Sequence, residues 1–277
     1  MSSEHLVKIL AERGVASRRG SERLIRAGQV KVDGIVIEEP GLLVDVINQR
    51  VLVDGRPLPP LPDPIHRLLH KPRGCLTTRS DPDGRRTVFD VMEDPHPSLA
   101  AVGRLDWGTE GVLLLTNDGE LAYRLTHPSY SVSKTYLVKV SGTPDQRKLT
   151  TLARGVKLED GPTAPALVEL ISSTGPSSWV LITISEGRNR IVRRMMEHIG
   201  HAVLKLKRVA FGGVTLRGLE PGIDRNLTAG ELRHLRSLVR TKGKARLAVT
   251  WEVRVAVAEA LHLPTPPRPQ NAGTRGR

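Results

Sequence analysis

The stretch PLPPLPDP at residues 57–64 constrains this chain more than any other, because five prolines fall within eight positions. Each proline fixes φ and removes a backbone N–H, so neither a helix nor a central strand can run through the segment. Two bodies are therefore expected, residues 1–60 and residues 66–250, joined by a semi-rigid spacer at 61–65. A second proline-rich stretch, PTPPRPQNAGTRGR from Pro264 onward, offers almost nothing to bury. Residues 264–277 are expected to form a disordered basic tail.

Of the 277 residues, 39% are hydrophobic, enough for a full core, while aromatics are only 3%, so that core must be aliphatic. No apolar run approaches the ~18 residues of a membrane helix, and MSSEHLVKIL lacks the pattern of a secretory signal. A cytoplasmic protein without membrane contact is expected. The lone cysteine, Cys75, excludes an internal disulfide and a cysteine-clustered zinc site.

The formal charge is +13, and its distribution is uneven. Residues 1–60 contribute +1, residues 61–185 contribute nothing, and residues 186–277 contribute +12. A polyanion is the natural partner of such a surface, and nucleic acid is the reading favoured here.

Before the spacer, Leu6, Ile9 and Leu10 have helical spacing that stops at Gly14. Ser17 can then cap a second helix, which contains Leu24 and Ile25 and ends at Gly28. Val30 and Val32, then Asp33-Gly34, then Ile35 and Ile37 spell a hairpin. This segment, with Ala-Ser-Arg-Arg at residues 16–19, closely resembles an S4-type RNA-binding domain. The resemblance makes Lys8, Ser17, Arg18, Arg19 and Lys31 candidate RNA contacts.

Beyond the spacer, short alternating apolar runs at Val112–Thr116, Tyr136–Val140, Leu167–Ile171 and Trp179–Ile184 predict strands. Few helical periods separate them, so the class is α+β with a mainly antiparallel or mixed sheet. In GRLDWGTEGVLLLT, residues 103–116, a glycine-bounded polar loop feeds an apolar strand and would place Arg104, Asp106 and Glu110 at the mouth of a sheet. On spacing alone Asp106 fits a turn carboxylate better than a reactive one. In EGRNRIVRRMMEHIGH, Asn189 can cap a helix with Ile191, Val192, Met195, Met196 and Ile199 on one face. Arg190, Arg193 and Arg194 would fall in one stripe on the other, a surface suited to phosphates or a carboxylate. No phosphate loop, dinucleotide fingerprint, nucleophile elbow or HExxH pattern occurs, so cofactor and metal chemistry are not indicated.

GRLDWGTEGVLLLTNDGELAYRLTHPSYSVSKTYLV closely resembles the signature of bacterial ribosomal RNA pseudouridine synthases of the small- and large-subunit type, which carry an S4 domain before the catalytic domain. HKPRGCLTTRSDPDGRRTVFDVM, EGRNRIVRRM, LKRVAFGGVTLRGLEPG and LTAGELRHL are similar to further motifs of that family, in family order.

The resemblance implies isomerisation of a uridine to pseudouridine without cofactor or metal. It places the essential aspartate at Asp106, the active-site tyrosine at Tyr136 and their basic partner at Arg193. Asp106 would capture the sugar covalently or abstract the C2′ proton. Tyr136 would stack on the base, although a strand aromatic packed in the core is the plainer reading of its position. Arg193 would hold the carboxylate ionised through a charge-assisted pair. Arg104 and Trp107 become candidates to grip a flipped nucleotide or prop the gap it leaves. Arg190 and Arg194 would contact the RNA backbone. The NRIVRR form resembles the large-subunit branch, so 23S rRNA is expected over 16S rRNA, with assembly intermediates as further partners and a monomeric enzyme. The alternative is a non-catalytic rRNA-binding assembly factor.

Overall fold

The computed structural model describes residues 3–243 and 247–269. The chain divides after Ile65 into two compact units, the first also taking in His96–Leu99 and Thr116–Gly119.

In the first unit, helices α1 (Leu6–Glu12) and α2 (Arg18–Arg26) precede strands β1 (Val30–Val32), β2 (Ile35–Ile37), β3 (Val51–Val53) and β4 (Arg56–Pro57). Ser17 caps α2, its Oγ accepting from the Gly20 N–H at 3.1 Å. Asp33 and Gly34 both take positive φ, 50° and 86°, as a two-residue hairpin turn requires. The antiparallel order is β2-β1-β3-β4. Leu6, Ile9, Leu10, Ile25, Val30, Val32, Val44 and Val51 close the core. Burying each of the larger side chains contributes roughly 2 kcal/mol.

The second unit is built on a nine-stranded sheet. Its main elements are β5 (His66–Lys71), β6 (Thr109–Thr116), α3 (Gly119–Thr126), β7 (Lys134–Ser141), α4 (Gln146–Arg154), β8 (Leu167–Ser173), β9 (Ser177–Ile184), α5 (Ile191–His198), β10 (Val203–Phe211), β11 (Asp224–Asn226), α6 (Ala229–Leu238) and α7 (Trp251–Leu261). The order is β8-β9-β7-β10-β6-β5-β11, with two short strands paired at β10 and β6. The sheet is mixed. β8, β9, β7 and β10 run antiparallel in turn, whereas β10 meets β6 in parallel through Leu206, Lys207 and Arg208 opposite Thr109, Glu110 and Gly111.

Gly111 makes that parallel contact possible. Its φ is +121°, and a Cβ there would collide with the backbone carbonyl and nitrogen of Arg208. Around β5 and β6, Leu68, Val112 and Leu114 pack with Leu121 and Leu125 of α3 and Leu235 of α6. Along β7, β9 and β10, Leu137, Leu181 and Val209 pack against Val253, Ala256 and Val257 of α7. Because strand residues alternate faces, α7 covers one side of β7 and β10 while Lys134, Tyr136, Leu206 and Arg208 face the other.

Three expectations are corrected here. The core of the second unit continues past residue 250 into α7, whose apolar positions follow too few polar ones to give a clear helical stripe. The proposed tail is partly tied down, because the Trp251 indole N–H donates to the Pro266 carbonyl at 3.1 Å and Arg268 lies 5.6 Å from the centre of that ring. Residues 270–277 of the expected tail lie outside the described residues. Asn189 does not cap α5; Arg190 does, in a left-handed conformation with φ 47° and ψ 30°, its carbonyl accepting the first helical bond from Arg194. Among the described residues, no helix is long and apolar enough to cross a membrane.

Candidate active site

Asp106 sits on the loop that enters β6, and a second loop braces that turn from beneath. Thr77 Oγ1 donates to the Leu105 carbonyl at 2.8 Å and accepts from the Leu105 N–H at 3.2 Å. The Gly74 N–H donates to the Trp107 carbonyl at 2.9 Å, and the Thr109 N–H closes the turn on the Asp106 carbonyl at 3.0 Å. Lys71, fully buried, donates to the Pro72 and Thr109 carbonyls at 3.0 Å each. Burial, chiefly, presses the Lys71 pKa down, while the Cys75 thiol beside it opposes that. Cys75 is fully buried, and desolvation raises its pKa. Carbonyl acceptors let Lys71 act as a strut joining β5 to the start of β6.

Above this brace opens a cavity of about 400 Å³, lined by Arg104, Asp106, Thr109, Lys134, Tyr136, Arg190, Ile191, Val192, Leu206, Arg208 and Phe211 among others. The volume suits one nucleotide. Asp106 is partly exposed on its rim and Tyr136 is 9% exposed on its wall. Apolar Ile191, Val192, Leu206 and Phe211 supply flat, dry surface between the charged groups.

The arginines differ from the single stripe expected. Arg190 Nη1 lies 3.8 Å from Asp106 Oδ2, the ion pair that the resemblance assigns to Arg193. Arg193 is partly buried, donates to the Val203 carbonyl at 3.4 Å, and leaves its buried Nε without a partner. The reason is the start of α5: the left-handed Arg190 precedes the first turn and swings to the rim, whereas Arg193 lies one turn inside against β10. Burial and then the charge of Arg190 lower the Arg193 pKa, against the pull of Asp106 and Glu197. A non-glycine residue held at positive φ beside the Asp106 carboxylate is local strain of about 1 kcal/mol. Arg194 is committed elsewhere, its guanidinium 2.8 Å from Asp160, and Arg188 holds the same carboxylate.

Arg104 is exposed at the cavity edge and Trp107 is 45% exposed just outside it. Glu110, expected near the mouth, points away. It accepts from His70 Nε2 at 3.1 Å and pairs with Lys207 Nζ at 2.9 Å. The hydrogen bond from His70, then the pairing with Lys207, outweigh its burial and hold its pKa at about 2. Lys134 and Arg208 on the cavity floor are site residues that the sequence reading missed. Strand alternation was the available signal, since Lys134 shares a face with Tyr136.

In the first unit, Arg18, Arg19 and Lys31 are exposed, while Ser17 is occupied as the helix cap. Lys8 lies between two carboxylates, 2.8 Å from Glu4 and 3.7 Å from Glu12.

Comparison with known proteins adds identity to this geometry. Residues 66–198 match the RNA pseudouridylate synthase family and residues 5–51 match the S4 domain. The chain is 46% identical over 237 residues to ribosomal large subunit pseudouridine synthase B of Bacillus subtilis, covering 85% of this chain and 96% of that one. With the protein of the same name from Escherichia coli K12 it shares 42% over 243 residues, 86% of this chain and 84% of that one. A solved pseudouridylate synthase crystal structure superposes with a TM-score of 0.61 at 31% identity, over 83% of this chain and 98% of that chain. Identity of this degree across both units shows that the chain belongs to the RNA pseudouridylate synthase family and is an enzyme of that kind with an S4 domain at its N-terminal end.

Proposed function

We propose that the protein isomerises a uridine of 23S rRNA to pseudouridine, with Asp106 as the reacting carboxylate. The observation that carries this reading is the placing of Asp106 and Tyr136 on one nucleotide-sized cavity, with a guanidinium 3.8 Å from the carboxylate. The N1–C1′ bond breaks as Asp106 captures C1′ or takes the C2′ proton; the base turns, C5 bonds to C1′ as the ester C1′–O bond breaks or the proton returns to C2′, and the C5 proton is then lost while N1 gains one. Arg190 pairs with and orients the carboxylate before that step, and Arg193 supports the wall behind it. Tyr136 stacks on the flipped base, and Arg104 meets the phosphate or the gap at the rim.

Residues 1–60 act as the RNA-gripping domain through Arg18, Arg19 and Lys31, with Lys8 and Ser17 helping to shape that surface. Residues 61–65 serve as spacer, and the catalytic domain begins at residue 66. Arg194 contributes through the Asp160 network instead of touching RNA directly. The enzyme works as a cytoplasmic monomer on rRNA or on an assembly intermediate.

The test is incubation of wild type and Asp106→Asn with 23S and 16S transcripts, followed by carbodiimide-dependent mapping of pseudouridine. A stop on 23S RNA with wild type and none with the variant supports the reading. A stop confined to 16S RNA moves the substrate, and tight binding without any stop, on transcripts and assembly particles alike, favours a non-catalytic assembly factor.

A further inference from the structure

Two cations lie at the bottom of the cavity with no carboxylate among the described residues within ion-pair distance. Lys134, 7% exposed, donates to the Val132 carbonyl at 2.9 Å. Arg208, 2% exposed, donates from Nε to the Val112 carbonyl at 2.7 Å and leaves its buried Nη2 without a partner. The Phe211 ring lies near both, its centre 5.4 Å from Lys134 Nζ and 5.0 Å from Arg208 Cζ. Burial chiefly, and then the neighbouring Arg208, lower the Lys134 pKa to about 8, with Glu186 opposing. Two like charges so placed cost stability, and unsatisfied donors at a reactive cavity are where a protein aims at charge that appears only during reaction.

The reaction supplies such a charge. Heterolysis of N1–C1′ leaves the bonding pair on N1. If Asp106 captures C1′, a C1′–O bond forms and the carboxylate charge is lost to the ester; if it takes the C2′ proton, the charge is lost to the acid. In both cases one negative charge passes from Asp106 at the rim to the uracil ring, where it spreads over N1, O2 and O4. We propose that Lys134 and Arg208 form a cationic floor that stabilises the detached uracil anion while it turns. The inference rests on the isomerase reading above. Because the floor binds a delocalised anion through charge as well as through fixed hydrogen bonds, it holds the ring in each orientation between N1 leaving and C5 arriving.

The experiment compares single-turnover cleavage of N1-linked nucleoside in RNA carrying uridine or 5-fluorouridine at the target, read by chromatography of nuclease digests. Fluorine makes the leaving base more acidic, so it needs less help. Lys134→Met is expected to slow uridine roughly 100-fold and 5-fluorouridine about ten-fold or less. Arg208→Lys, which keeps the charge, should fall between wild type and Lys134→Met on uridine. Equal slowing of both substrates in both variants overturns the proposal. Should Lys134→Met fail to fold, Lys134→Arg and Arg208→Lys decide: each should slow uridine more than 5-fluorouridine, and equal slowing of the two substrates overturns the floor. A wild type that forms no pseudouridine in any rRNA refutes the isomerase reading itself, which separates that failure from failure of the floor.

Discussion

Replacing Glu110 by Gln removes the charge that joins β5, β6 and β10 behind the cavity, through His70 at 3.1 Å and Lys207 at 2.9 Å. The folded carboxyl has a pKa of about 2 against an ordinary 4.5. That depression contributes on the order of 3 kcal/mol at pH 7, since each pKa unit is worth about 1.4 kcal/mol. The side chain is only 26% exposed, so solvent screening removes little of it. A carboxyl whose folded pKa is depressed stabilises the fold fully above its unfolded pKa and loses that contribution as pH falls toward the folded one. The difference between wild type and Glu110→Gln should therefore be about 3 kcal/mol from pH 6 to 7 and shrink to about 1 kcal/mol at pH 3. Urea unfolding followed by circular dichroism at four pH values measures it. A difference that stays constant from pH 7 to pH 3 would refute the ionic account, leaving only lost packing.

Gly111→Ala should destabilise by about 3 kcal/mol or more, combining a φ closed to other residues with backbone collision at Arg208. Gly84→Ala, at φ 71° in open space, isolates the conformational part at about 1 kcal/mol; equal losses at the two sites would remove the collision from the argument. Truncation after Leu263 should lower RNA affinity mainly at low salt, and an unchanged salt slope would show that the terminal basic residues do not meet phosphate.

Legibility in the sequence followed the range of the interactions. The cap at Ser17, the Asp33-Gly34 turn and the strands from β6 to β9 are local, so spacing and turn chemistry revealed them. The parallel pairing of β6 with β10 depends on the missing side chain of Gly111 meeting the backbone of Arg208, which no local pattern encodes. The same limit explains the arginines. Helical periodicity placed Arg190, Arg193 and Arg194 together, but Arg190 is left-handed and outside the helix, and the salt bridge from Arg194 leads to Asp160, over thirty residues earlier. Asp106 and Tyr136 stood out through resemblance, whereas Lys134 and Arg208 are opposed by the general rule that buried lysine and arginine are paired.

The parallel joint also orders events during synthesis. Gly111 and Arg208 are separated by roughly one hundred residues, so β6 leaves the ribosome several seconds before its partner exists. Throughout that interval the edge at Thr109–Gly111, which β10 will pair, stays open, and only nonlocal pairing can cover it. The nascent chain consequently completes this cavity late, after β10 has been made, and a pause or truncation before residue 203 would leave an S4 domain followed in sequence by an aggregation-prone half-sheet.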